Sequence, residues 1–323
     1  MRYRNYKSYS SNAKQSIPNL ISESVVDYFV DSKITHPYII NTIIYDKSCT
    51  IYTPKTNTSD LKSYLNTKNF DLVSRFDNIT YVEHESPFYS DFLNYGNYYG
   101  YAIQNDYNSI PLGKSVSDKI ISQLNPTHSN IIQLSFDTHL SVVTRLSLFT
   151  SDKSLNKINI LPLSEFITEE TKITITTVSK NVPGEFYTNN SNLYLYHELP
   201  SHTPTFVGTD PMSPSRILPM YLRYVAKSMV NSSLMNECLI TANYSQDSVV
   251  PVTLNIDSFG TEKYPMKYIY SCLMDVFPLS LKEIREELDF YQTIYRHSAE
   301  SNYFNDSDLP WENTDKSKDL IIF

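Results

Sequence analysis

The stretch ITANYSQDSVVPVTLNIDSFGTEKYPMKYIYSCLMDVFP, Ile240 to Pro278, decides the reading of the fold. With the residues just before it, ECLITANYS (Glu237 to Ser245) alternates apolar and polar side chains, as a half-buried strand does. VVPVTLNID is rich in β-branched residues, and QDS between the two runs is turn-forming, so a strand pair is predicted. Asp257 to Gly260 then turns the chain, and TEKYPMKYIYSCLMDVFP predicts a helix ending at Pro278. The next segment, SLKEIREELDFYQTIYRHS, predicts one continuous helix. Ser280 and Glu283 make its capping box, and Ile284, Leu288, Tyr291, Ile294 and Tyr295 form its apolar stripe. Strands followed by helices that cover them point to an α+β fold, with mixed or antiparallel sheets, flanking helices and extended terminal arms.

Upstream, IPNLISESVVDYFVDS places Leu20, Ile21, Val25, Phe29 and Val30 at helical spacing. YIINTIIY and CTIYT predict strands paired around DKS, and TSDLKSYLNTKNF a short helix. LVSRF and ITYVEH, separated by DN, predict a hairpin, and SPFYSDFLNYG a helix between Pro87 and Gly96. IIQLSFDTH, SVVTRLSLFT, KINILPL, KITITTV and NLYLYHEL predict further strands. Leu199 to Arg216 carries Pro200, Pro204, Pro211 and Pro214, which predicts a domain boundary or binding loop. The expected division is a basic arm at 1–16 (Arg2, Arg4, Lys7, Lys14), an α+β domain at 17–198 and a Pro-rich linker at 199–216. A strand pair with two helices at 217–296 and an acidic tail at 297–323 complete it.

Composition narrows the function classes. The chain has 323 residues, 41% of them hydrophobic, with a formal net charge of −8. That charge disfavours a general grip on nucleic acid. Six glycines leave little material for loops that approach a phosphate or cofactor closely. Cys49, Cys238 and Cys272 form no C-x-x-C pair, so neither a zinc ribbon nor a disulfide framework is indicated. No apolar run approaches a membrane span, and none marks a secretory signal at the N-terminus, so no membrane partner is expected.

The motifs that carry chemistry elsewhere are incomplete here. NSIPLGKS (Asn108 to Ser115) ends as a phosphate loop does, but the first glycine position is Asn108 and Pro111 removes a backbone donor. The plainer expectation is a turn at Gly113 with Ser115 capping a helix. HELPSH spaces His197 and His202 one residue too far apart for a zinc helix, and Pro200 interrupts it. His84 and His139 stand near Glu83 and Asp137 without a nucleophile. No catalytic residue, cofactor or metal ligand is assigned.

The positive signal is tyrosine, 27 in all, concentrated in NYGNYYGY and YPMKYIY. Large amphipathic rings favour protein interfaces. The candidate interface residues are Arg2, Arg4, Lys7, Lys14, Tyr95, Tyr98, Tyr99, Tyr101, Pro211, Pro214, Trp311 and Phe323. The strand pair and helix from Ile240 to Pro278 resemble a sheet-and-helix module of tailed-phage virion proteins of the neck, tail-terminator or baseplate type. That resemblance implies a non-enzymatic structural subunit, located in the virion and partnered by copies of itself and other virion proteins. Two alternatives stay open: a nucleotide or nucleic-acid enzyme using Gly113, Lys114 and Ser115, and a host-directed binding protein.

Overall fold

In a computed structural model of the chain, the described residues are 6–12, 16–35, 37–45, 47–84, 96–104, 112–124, 130–137, 142–177, 186–188, 207–245, 248–301, 303 and 306–321. In chain order the elements are β1 Tyr6–Asn12, α1 Ser16–Asp31, β2 Asn41–Tyr45, β3 Ser48–Pro54, α2 Thr58–Lys68, α3 Phe70–Val73, β4 Asn78–His84 and β5 Gly96–Ile103. There follow α4 Leu112–Ile121, β6 Asn130–Asp137, β7 Val142–Thr150, β8 Ile167–Thr177, β9 Phe186–Thr188 and α5 Pro214–Asn231. The last are β10 Glu237–Tyr244, β11 Thr253–Asp257, α6 Met266–Val276, α7 Leu281–Glu287 and α8 Tyr295–Glu300. The fold is α+β, with antiparallel and mixed sheets and helices packed on them.

The chain divides into two units. The first takes Met1–Ser16, Ile110–Glu185 and Leu195–Pro200. Its sheet runs β1-β6-β7-β8, antiparallel except for the parallel β7–β8 pair. Part of the basic arm is therefore an edge strand: Lys7 stands opposite Phe136. Val116 and Ile120 of α4, with Leu134, Phe136, Leu146 and Leu148, are buried in this unit. KINILPL does not form the expected strand. Pro162 lacks the N–H that a ladder needs, and Leu161–Leu163 makes a single 3-10 turn with Leu161 exposed.

The second unit takes Ile17–Ser109, Phe186–Tyr194 and Ser201–Phe323. One sheet runs β4-β3-β2-β9, and the other β11-β10-β5. The apolar face of α1 (Ile21, Val25, Val26, Phe29) shares a core with Ile44, Ile51, Leu61, Leu65 and Tyr295. The expected LVSRF hairpin is absent. Asn69 N–H caps α2, Phe70–Val73 turns as α3, and β4 runs parallel to β3. The expected β10–β11 pair is present and antiparallel, with β5 on the other edge of β10.

Helix α5 was not expected, because its prolines read as a loop. Pro214 instead occupies the first turn, where no intrahelical donor is needed, and Ser213 is the N-cap. The helix also tolerates Pro219 and is buried nearly all round, as a helix between layers is. Strand β5 lies against it so closely that a Cβ on Gly100 would come within 2.0 Å of the Leu222 carbonyl carbon. Only glycine fits there.

The long helix expected from Ser280 to Ser298 is broken. Ser280 caps α7 as expected, its hydroxyl accepting from Glu283 N–H. At Leu288 the backbone becomes extended, and the Asp289 carboxylate takes Tyr291 N–H at 3.2 Å. A side chain that satisfies its own backbone competes with the helix ladder. The chain resumes as α8, whose first N–H groups are taken by Asp27.

Candidate functional site

Helix α5 places Arg216, Arg223 and Lys227 seven and four residues apart, which brings them near one face. Each finds a carboxylate far away in sequence. The Arg216 guanidinium makes a two-pronged bond to Glu23, with Nη1 to Oε1 at 3.1 Å and Nη2 to Oε2 at 2.8 Å. Tyr303 donates its hydroxyl to the same carboxylate at 3.2 Å, and Arg216 lies 4.4 Å over the Tyr295 ring. Burial acts to lower the Arg216 pKa; Glu23, Tyr295 and Tyr303 raise it, and the guanidinium stands above its ordinary value.

Arg223 Nε donates to Glu312 Oε1 at 2.8 Å and Nη2 to Oε2 at 3.0 Å, while Nη1 donates to the Tyr101 carbonyl at 2.8 Å. Lys227 Nζ reaches both the Glu312 carboxylate and its carbonyl at 2.8 Å. Burial pushes the Lys227 ammonium down, and Glu312 partly restores it. These groups latch the 3-10 turn Pro310–Glu312 onto α5. With their donors committed inward, they are structural. Nearby, burial raises Asp27 to about 7, against the Arg296 and Tyr295 N–H groups that favour its ionised form.

Close to this latch opens a cleft of about 600 Å³. Glu283, Glu286, Glu287, Asp289 and Asp315 line it with Tyr224, and Lys316 is its basic residue. Tyr224 donates to Asp315 at 2.7 Å, and Lys316 is ion-paired to Glu287 while also donating to the Val276 carbonyl at 3.3 Å. Such a lining attracts cations and repels a polyphosphate. Among the described residues, one group has metal-ligand proximity: His297, Asp306 and Asp308, each offering a donor atom within 4.8 Å of the others.

Of the residues read as interface candidates, Tyr98 and Tyr101 are buried, 1% and 3% exposed. Tyr101 donates its hydroxyl to Glu237 at 2.7 Å, and Tyr98 packs edge-on against Tyr244. Tyr99 is half-buried. Pro211 and Pro214 are buried at the entry to α5. Trp311 is buried, stacked on Phe290 and donating Nε1–H to the Tyr303 carbonyl at 2.9 Å. These rings and prolines serve the core because β5 and the 310–312 turn pack against α5 and its surroundings. Arg2, Arg4, Lys14, Tyr95 and Phe323 lie outside the described residues, as do His139, His197, Glu198 and His202. His84 meets the Ile39 carbonyl at 3.2 Å. Gly113 and Ser115 do not form a turn and a cap: both sit inside α4, with Ser115 buried. Sequence reasoning missed Arg216, Arg223, Lys227, Glu23, Asp27 and Glu312. The spacing of the three cations was visible, but only on the premise that 214–231 is helical.

A family model, the C-terminal domain of S-adenosylmethionine synthetase, matches residues 195–313. This span includes α5, β10, β11, α6, α7, α8 and the Glu312 latch. The chain is similar to the S-adenosylmethionine synthase of Aquifex aeolicus, 31% identical over 164 residues, which is 48% of this chain and 43% of that protein. It is likewise similar to those of Corynebacterium kroppenstedtii, 37% identical over 117 residues, and Petrotoga mobilis, 36% over 117. Those alignments cover 36% of this chain and 29% of each relative, so the chain spans less than half the length of the relatives it matches.

These matches correct the expectation drawn from the Ile240–Pro278 module. The same strands and helix lie within the span that matches the C-terminal domain of S-adenosylmethionine synthetase, which contradicts the tailed-phage reading. The non-enzymatic role, the virion partners and the virion location fall with it. A strand pair followed by a helix is an arrangement many functions share, and it carries no function by itself.

Proposed function

We propose that the chain works in the S-adenosylmethionine synthase class, with residues 207–313 built as the C-terminal domain of that family. The observation that carries this reading is the family match over residues 195–313. Its support is that the matched span includes the internal partners of α5: Arg223 and Lys227 on the helix and Glu312 on the turn that closes on it.

The product's name defines the bond to be made: methionine sulfur joined to the 5′ carbon of adenosine as a sulfonium. A polyphosphate on that carbon is the leaving group such an attack needs, so a nucleoside triphosphate is the donor to test. The product carries a sulfonium and an ammonium. The charge of the cleft lined by Glu283, Glu286 and Asp289 suits such a cation and opposes the donor's phosphates.

Titration calorimetry of the full chain with S-adenosylmethionine tests the reading. Saturable binding at one site, weakened in the Glu286→Gln/Asp289→Asn variant, is expected. A folded protein with no saturable binding of S-adenosylmethionine, methionine or ATP overturns it.

A further inference from the structure

We propose that His297, Asp306 and Asp308 form a binding site for one divalent transition-metal ion of the zinc or manganese class. Nothing in the preceding reading requires this site, and its test does not depend on adenosyl chemistry.

The donor set is the first argument. One imidazole and two carboxylates offer nitrogen and oxygen ligands, a combination that suits zinc, manganese or iron and is less suited to magnesium. Ligand bonds of about 2.0–2.2 Å around one ion put donor atoms roughly 3–4.3 Å apart. The three donors here all lie within 4.8 Å of one another, so small side-chain rotations close the shell. His297 Nε2 and Asp306 Oδ2 already stand 2.6 Å apart.

The second argument is how the donors are held. His297 lies on α8, whose first N–H groups are fixed by Asp27 at 2.9 Å. Asp306 spends Oδ1 on the Asp308 N–H at 3.0 Å, and its carbonyl accepts Leu309 N–H at 3.1 Å, which leaves Oδ2 toward His297. The turn is anchored by Leu309, fully buried, and by Tyr303, whose hydroxyl is tied to Glu23. The donors themselves remain reachable, with the His297 side chain 50% exposed and that of Asp306 21%.

Charge gives the third. The two carboxylates favour a cation between them over an anion.

The test is calorimetry of the full chain, stripped with chelator, titrated with ZnCl2, MnCl2 and MgCl2. One equivalent of zinc or manganese, bound at least 10-fold tighter than magnesium, is expected. His297→Ala, Asp306→Asn and Asp308→Asn should each weaken binding at least 10-fold, and His84→Ala should leave it unchanged. The fluorescence of Trp311, the chain's one tryptophan, checks that each variant is folded. No binding, equal binding of magnesium, or zinc binding that survives in all three variants overturns the proposal.

Discussion

Replacing Arg223 by Met should cost about 3–5 kcal/mol of folding stability, the range for breaking one partner out of a buried ion pair. The structure sets this magnitude. The Arg223 side chain is fully buried, and the Glu312 side chain is 1% exposed. Without the guanidinium, Glu312 retains Lys227 alone, and the Tyr101 carbonyl loses the donor that stood 2.8 Å away. Total stabilities of about 5–15 kcal/mol make this a large fraction. The assay is urea unfolding followed by Trp311 fluorescence, since that ring sits next to Glu312 in the latched turn. The double variant Arg223→Met/Glu312→Leu should recover most of the loss. It removes the orphaned charge, and Lys227, whose side chain is 12% exposed, can turn its ammonium to water. A loss below about 1 kcal/mol in the single variant, or no recovery in the double one, refutes the view that a desolvated ion pair holds the turn on α5.

Gly100→Ala should destabilise by more than about 2 kcal/mol or prevent folding, because its methyl group meets Leu222 backbone at 2.0 Å; circular dichroism melting checks it. Asp27, held near 7 in the folded protein and near 3.8 unfolded, binds its proton more tightly when folded. Its contribution is therefore largest below pH 4 and is lost as pH rises to 7, by about 4 kcal/mol. The stability difference between Asp27→Asn and the parent should follow that slope, and a flat difference from pH 4 to 7 would contradict it. Trp311→Phe keeps the stack on Phe290 but removes the Nε1–H bond to the Tyr303 carbonyl, so a loss of about 1–2 kcal/mol is expected in thermal unfolding.

What the sequence made legible was local. Alternation in ECLITANYS and VVPVTLNID marked β10 and β11, and the spacing of Leu20 to Val30 marked α1, because each pattern is read within one element. The Pro-rich run misled where it met a helix: Pro214, read as part of a loop, starts α5. The apolar stripe after Ser280 suggested one helix because Leu288 and Tyr295 fit the period; both are buried, but on separate segments divided at Asp289. The site was least legible. Glu23 and Arg216 are 193 residues apart, and Arg223 and Glu312 are 89 apart, so no window of sequence contains either pair. The Tyr-rich run was visible, but burial of Tyr98 and Tyr101 depends on β10 and α5 arriving from more than a hundred residues away.

The most direct test of the central claim is turnover. The full chain, incubated with methionine, ATP and a divalent cation, is sampled over time by mass spectrometry for S-adenosylmethionine. The account predicts product that accumulates in proportion to protein and is lost in the Arg223→Met variant, whose C-terminal turn is unlatched. A folded chain that yields no product under these conditions contradicts it.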